Sequence, residues 1–378
     1  MKAAFNASPL LSPLTGIGQY TLNLARALVA LDSIALEFFY ASEWSRELKA
    51  SPSRKIGLLK PLVKRWLPFP YELSRMVQQL QFTRGVSRLK PDLYHEPSFL
   101  PFRFDGPTVI TVHDLSWVRF PETHPPARVR IMNKLLPDAI ERAAHILVDS
   151  DFVRAEVISH YGVHPTRVTT TSLAPRDIFR RRTSEQRRAT LADIGLNDEA
   201  YFLCVGTLEP RKNVEVALRA HAMLPEALRR RVPLVLVGMH GWLTSRLERE
   251  MELPAQRGEL VTPGYVADDS LADLYSGACA LLYPSIYEGF GFPPLEAMAC
   301  GTPVVMSNAS SLPEVGGAAA LMHDPDDVDA LNRAMRRLVE DTQYRRERSA
   351  ASLVQAAQFS WDRCARETLT VYQNAVAT

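Results

Sequence analysis

Apolar residues in this chain fall into short runs separated by stretches of helical periodicity. Thr108-Val109-Ile110-Thr111-Val112 sits between Gly106-Pro107 and the polar pair His113-Asp114. His145-Ile146-Leu147-Val148 has the same character, and Asp92-Leu93-Tyr94 reads as a strand that ends on His95-Glu96. Fully apolar runs of this length suit strands buried on both faces, as in a parallel sheet with crossover helices. Residues 127–144 carry apolar positions at helical spacing and are predicted to form one such crossover. A second series begins at Tyr201–Gly206 and continues through Pro233–Gly238, Gly258–Thr262, Cys279–Pro284 and Thr302–Met306. Helices are expected between these strands, over 213–223 and 268–278 among others.

The alternation of strand and helix predicts an α/β fold of two doubly wound, Rossmann-like halves with parallel sheets facing across a cleft. Arg176, Arg180, Arg181, Arg182, Arg187 and Arg188 crowd the polar stretch 176–190, which reads as the inter-domain linker. The expected division is an N-terminal, acceptor-side domain over 1–178, a nucleotide-binding domain over 179–358 and a closing helix over 359–378. In doubly wound sheets ligands bind beyond the carboxyl ends of the strands, so the segments that follow the strands are where chemistry is expected.

Composition narrows the classes of function. The chain has 378 residues, 46 % of them hydrophobic and 23 % charged, enough for two globular cores. A net charge of +2, from 44 basic and 42 acidic residues, argues against nucleic acid as the main partner. The four cysteines, Cys204, Cys279, Cys300 and Cys364, form no C-x-x-C pair, and reduced thiols in a cytoplasmic setting are expected. The start of the chain lacks the apolar core of a signal peptide. No apolar run approaches the roughly 18–20 residues that would span a bilayer.

Two segments carry the strongest chemical signal. Glu288-Gly289-Phe290-Gly291-Phe292-Pro293-Pro294-Leu295-Glu296 follows the strand ending at Pro284-Ser285. Its prolines suit the first turn of a helix and Gly301 suits its end, which puts Glu288 in a loop and Glu296 in the first helical turn. Glycines allow close backbone approach, helix-start amides favour an anionic diphosphate, and carboxylates accept hydrogen bonds from polyol hydroxyls. Gly206-Thr207-Leu208-Glu209-Pro210-Arg211-Lys212-Asn213 also follows a strand and opens a helix. Cations at a helix start oppose its dipole, so Arg211 and Lys212 there point to an anionic ligand such as a leaving diphosphate.

These two segments, together with Thr15-Gly16-Ile17-Gly18-Gln19-Tyr20 and Val112-His113-Asp114, resemble retaining GT-B glycosyltransferases of family 4, over residues 12 to about 320. Bacterial mannosyl- and rhamnosyltransferases that build O-antigen or related polysaccharides are the members it is most similar to. The resemblance implies a catalytic set of His113, Arg211, Lys212 and Glu288. Glu288 would hold donor-sugar hydroxyls, Glu296 the ribose hydroxyls, and Arg211 and Lys212 the diphosphate. Phe290, Gly291 and Leu295 would offer backbone amides, Gly206 would lie against the donor, and Gly264-Tyr265-Val266 would meet the base. Gly16 and Gly18 would form an N-terminal glycine loop near the donor phosphate, and the tail from Phe359 would cross back to the first domain. A nucleotide sugar, GDP-linked by preference, and a glycan or lipid-linked glycan acceptor are the implied partners, without a metal cofactor.

Several residues support more than one reading. Gly16-x-Gly18 also suits a simple helix entry, and it lacks the third glycine of a dinucleotide fingerprint. His113 could equally be a satisfied structural histidine. His95 and Asp114 are candidate acceptor contacts. Asp149-Ser150-Asp151 has the D-x-D form that binds a metal in other folds, but the cation pair and the glutamates supply a metal-free alternative. Residues 48–71 hold six cations and no acid, interleaved with Trp66 and leucines, so Lys60, Lys64, Arg65 and Trp66 suit an anionic membrane surface as well as an ordinary loop. The rival to glycosyl transfer on this plan is a nucleotide-sugar epimerase. A Rossmann oxidoreductase fits less well for want of the full glycine motif, and the Gly16 loop and His113 argue against a sugar-nucleotide sensor without catalysis.

Overall fold

A computed structural model describes residues 1–378 except 13, 15, 50–69, 240–244 and 378. The chain forms two units: one takes Met1–Leu115, Arg130–Leu173 and Trp361–Thr378, and the other takes Ser116–Val129 and Ala174–Ser360.

The first unit is built on seven strands: β1 (Lys2–Asn6), β2 (Ala35–Tyr40), β3 (Glu43–Ser45), β4 (Leu93–Glu96), β5 (Thr108–Val112), β6 (His145–Val148) and β7 (Val168–Thr170). They lie in the order β3-β2-β1-β4-β5-β6-β7, all parallel except the β2–β3 pair. The second unit has β8 (Phe202–Val205), β9 (Leu234–Val237), β10 (Leu260–Gly264), β11 (Ala280–Tyr283), β12 (Val304–Ser307) and β13 (Leu321–His323), in the order β10-β9-β8-β11-β12-β13. Counted from its own first strand, this second sheet runs 3-2-1-4-5-6, the dinucleotide-binding order, with a switch point between β8 and β11. Apolar runs buried on both faces became these parallel strands, as the sequence pattern requires.

The core of the second unit packs β8, β9, β11 and β12 against the helices Val214–Ala222 and Val328–Glu340 through Leu234, Leu236, Leu282, Ala217, Leu331 and Met335. In the first unit the helix Gly16–Ala30 packs against the helix Trp361–Ala377. The latter buries Cys364, Ala365, Thr368, Val371, Tyr372 and Ala375, one face at helical spacing.

Three expectations about elements are corrected. The stretch read as a linker contains the helix Ser184–Ile194, opened by a reciprocal capping box between Thr183 and Gln186 and closed by Gly195 at φ +74°. Its arginines are partly structural: Arg187 donates to both carboxylate oxygens of Asp198, at 2.5 and 2.7 Å. Residues 116–129 belong with the second unit, so the first is discontinuous in sequence. Gly16 and Gly18 lie in the first turn of the helix Gly16–Ala30 and do not form a separate loop. Gly18 is buried there, where a Cβ would come 3.1 Å from Leu14.

Candidate active site

The carboxyl ends of β8 and β11 meet at the switch point of the second sheet, and a concavity there is lined by Gly206, Thr207, Leu208, Lys212, Tyr283 and Pro284. Gly206 leaves β8 at φ +143° and Gly238 leaves β9 at φ +152°, conformations that suit glycine. After Gly206 the chain turns through the short helix Pro210–Lys212, and Asn213, at φ +53°, redirects it into the helix Val214–Ala222. The turn is fastened to the loop after β11 by the Ile286 amide, which donates to the Arg211 carbonyl at 2.9 Å.

This geometry brings Arg211, Lys212 and Glu288 together. Lys212 Nζ donates to Glu288 Oε1 at 2.6 Å and to the Tyr283 hydroxyl at 2.7 Å. Arg211 donates to Glu288 Oε2 at 2.9 Å, to Glu209 Oε1 at 2.5 Å and to the Tyr287 carbonyl at 2.5 Å. Glu288 Oε1 also accepts from Ser285 Oγ at 2.6 Å and from Tyr283 at 2.8 Å. Its backbone is held too, by Ser310 Oγ on the N–H and by Ser311 Oγ on the carbonyl. Burial opposes the charge on Glu288, but Arg211 and Lys212 outweigh it and hold the carboxyl at about 2. Lys212 thus lines the concavity with Arg211 beside it in sequence, the two cations neutralised in this state by two buried carboxylates, Glu209 and Glu288.

Glu296 sits in a different environment. It is the fifth residue of the helix Phe292–Ala299 and not in its first turn, as the sequence had suggested. It is buried and its bonds are long: Arg176 Nε at 3.3 Å and the Tyr275 hydroxyl at 3.4 Å. Arg176 is drawn away by a closer bond to Asp268, at 2.6 Å. Burial, only partly offset by Arg176, lifts the Glu296 carboxyl to about 7. The helix begins at Gly291, at φ +123°. Pro293 and Pro294 have no N–H, which narrows the donors of this start to Gly291, Phe292 and Leu295. The Leu295 amide makes a long 3.3 Å bond to the Gly291 carbonyl, and Phe290 is buried against Phe292 and Phe359. Tyr265, just beyond β10, is 74 % exposed, and Val266 is half-buried.

The candidates in the first unit fare differently. His113 follows β5 and has both ring nitrogens engaged, Nδ1 with Asp149 at 2.7 Å and Nε2 with the Pro97 carbonyl at 2.8 Å. Burial works against its charge, yet Asp149 and the carbonyl raise its pKa. Asp114, beside it, is half-buried. His95 is corrected as an acceptor contact, because it is fully buried between Tyr372 Oη at 2.5 Å and Thr111 Oγ1 at 2.9 Å. Burial, followed by His113, pushes its pKa down to about 3, which marks it as a neutral core histidine. Asp149 and Asp151 do not converge: Asp149 turns to His113, and Asp151 accepts from Thr170 at 2.6 Å. Among the described residues no group of three or more His, Cys, Asp or Glu could hold a metal ion. Lys60, Lys64, Arg65 and Trp66 lie outside the described residues.

Sequence reasoning gave no site role to Tyr283, Ser285, Glu209 or Arg176, the last of which it read as part of a linker. Tyr283 and Ser285 flank the end of β11, so the rule that sites follow strand ends was the available signal.

Taken together, two sheets of this order, with cations and carboxylates at the switch point of the second, are the frame of an enzyme that handles activated sugars on the GT-B fold. Comparison with known proteins agrees. A family model described as "Glycosyl transferases group 1" matches residues 186–354, and one described as "Glycosyltransferase Family 4" matches residues 14–172. O-antigen chain mannosyltransferase B of Escherichia coli is 38 % identical over 381 residues, covering 99 % of this chain and 100 % of that protein. Sucrose-phosphate synthase from Thermosynechococcus elongatus superposes with a TM-score of 0.74 at 19 % identity, covering 100 % of this chain and 99 % of that one. Anabaena HepE in complex with UDP-glucose gives a TM-score of 0.74 at 16 % identity, covering 99 % and 100 % of the two chains. The chain belongs to the family 4 glycosyltransferases and is a glycosyltransferase.

Proposed function

We propose that this enzyme transfers mannose, or its 6-deoxy form rhamnose, from a GDP-sugar to a hydroxyl of a lipid-linked or polysaccharide acceptor, with retention at the anomeric carbon. The observation that carries the reading is the Arg211–Lys212–Glu288 cluster at the ends of β8 and β11. The 38 % identity to a protein named as an O-antigen mannosyltransferase supports the sugar and the acceptor class. The structural neighbour solved with UDP-glucose supports a nucleotide-sugar donor.

In this reading the leaving diphosphate gains charge as the anomeric carbon becomes oxocarbenium-like. Arg211 and Lys212 then shift from Glu288 and Glu209 toward the phosphates, a stabilisation that grows in the transition state. The two cations supply that charge without a metal, so transfer is expected to survive chelation. Glu288 is a poor nucleophile, because its carboxylate accepts four hydrogen bonds and is held at about 2. That favours a front-face route in which the departing phosphate oxygen takes the acceptor proton. Glu296 would take the ribose hydroxyls, and a lipid-linked acceptor would place the enzyme at the inner face of the cytoplasmic membrane.

A thermal-shift panel of GDP, GDP-mannose, GDP-rhamnose and UDP-glucose tests the donor, because a ligand raises the melting point by its affinity for the folded state. The largest shift is expected with a GDP-sugar, and a shift with UDP-glucose alone would overturn the base assignment. The anomeric configuration of the product, read by NMR, tests retention. A free epimerised nucleotide sugar in place of a new glycosidic bond would favour the epimerase.

A further inference from the structure

Ser310 and Ser311 follow β12, yet both turn their side chains to the loop that follows β11. Ser311 is the N-cap of the short helix Leu312–Gly316, where a serine oxygen ordinarily accepts from the first amides of its own helix. It makes no such bond. Its buried hydroxyl instead donates to the Glu288 carbonyl at 2.9 Å and to the Phe290 carbonyl at 2.8 Å, one proton shared between two acceptors. Ser310, beside it, stands at φ +53°, a left-handed conformation that is strained for any residue with a Cβ. Its hydroxyl accepts from the Glu288 N–H at 2.8 Å and donates to the Ala309 carbonyl at 2.8 Å. A forgone cap and a strained backbone thus both serve the segment Glu288–Gly291.

The direction of the Phe290 carbonyl has a consequence for the next residue. In a trans peptide the N–H points opposite to the C=O. Drawing the Phe290 carbonyl to Ser311 therefore turns the Gly291 N–H away from Ser311, and that N–H meets no acceptor among the described residues. Gly291 has no Cβ to oppose rotation of this peptide plane, so its direction must be fixed from outside. Leu312 limits the alternatives, since a Cβ on Gly291 would lie 3.0 Å from its side chain.

We propose that Ser311 is a positioning residue for the donor sugar: by holding the Glu288 and Phe290 carbonyls it aims the Gly291 amide at a hydroxyl oxygen of the sugar to be transferred. Arg211 and Lys212 already supply the cations for the diphosphate, and a neutral N–H suits a neutral hydroxyl oxygen. The inference rests on the donor-site reading above and deepens it, since it places control of sugar recognition on a residue outside the Glu288–Glu296 segment.

The test is calorimetric titration of the full chain with GDP-mannose against GDP and with UDP-glucose against UDP, read on whichever pair the wild type binds. In Ser311→Ala the affinity for the nucleotide sugar should fall roughly three- to tenfold, the worth of one hydrogen bond, while that for the nucleoside diphosphate stays unchanged. Ser311→Thr keeps the hydroxyl and should restore the wild-type ratio of the two affinities. Ser311→Cys, a weaker donor, should fall between, and it carries the test should Ser311→Ala fail to fold. Equal losses for both ligands would assign Ser311 to structure or to the phosphates and overturn the proposal. So would unchanged affinities in both the Ala and Cys variants, or a crystal structure of either with both carbonyls still turned to residue 311. Wild-type protein that binds none of the four ligands would remove the donor-site reading itself, and the proposal with it.

Discussion

Glu288 and Glu296 are buried carboxylates on one short segment, and their neighbours drive them in opposite directions. Glu288 has two cations within 3 Å, whereas Glu296 has one arginine at 3.3 Å that is shared with Asp268. The Glu296 carboxyl rises from an ordinary 4.5 to about 7, so the folded chain favours its neutral form. Its contribution to stability is therefore full below pH 4.5 and is lost as pH rises through about 7. Glu296→Gln, which fixes the neutral state, is expected to match the wild type near pH 5 and to exceed it at pH 9 by on the order of 1–3 kcal/mol in denaturant titrations. The same variant should bind nucleotide more weakly if the carboxylate takes the ribose hydroxyls; an unchanged affinity removes that role. Tyr283 bonds both Lys212 and Glu288. Tyr283→Phe should lower kcat roughly tenfold with little change in donor KM, because it loosens the cation without removing it. These two glutamates were legible as chemistry in the sequence because of their glycine-rich spacing. Their opposite protonation was not, since it depends on Arg176, Asp268 and Tyr275, which are remote in sequence from Glu296.

Buried apolar runs identify strands reliably when a run is long enough to bury both faces, and β5, β6, β9, β11 and β12 fall within a few residues of where such runs stand. The three-residue strands β7 and β13 offer too little periodicity to be read. The helix Ser184–Ile194 was hidden by its arginines, although Thr183-x-x-Gln186 is a legible capping box. At the ends of β8 and β9 the packing is tight enough to exclude a methyl group. A Cβ on Gly238 would lie 1.9 Å from the Gly206 carbonyl oxygen, at a φ of +152°. Gly238→Ala should therefore cost at least about 2 kcal/mol and blunt donor binding, as both strand ends retreat from the concavity. A wild-type melting temperature in that variant would show that the loop yields without cost.

The first unit is assembled from three separate segments, the last of which is the helix Trp361–Ala377. A linear reading of periodicity carries no information about such closure, and only the family resemblance suggested where the tail belongs. Chains ended after Ser360 should lose hydrogen-exchange protection in the helix Gly16–Ala30 and in β4 and β5, where Tyr20 and His95 would surrender their cover, while β8, β9, β11 and β12 keep theirs. Uniform protection in the truncated chain would sink this expectation. The arrangement also has a consequence during synthesis. The ribosome delivers the first sheet early, but the helix that covers it emerges only after all of residues 174–360 have been made. The second unit can finish folding on the nascent chain while the first waits with an apolar flank uncovered, so chaperone occupancy should concentrate on the earlier-made half and end once the helix Trp361–Ala377 has docked.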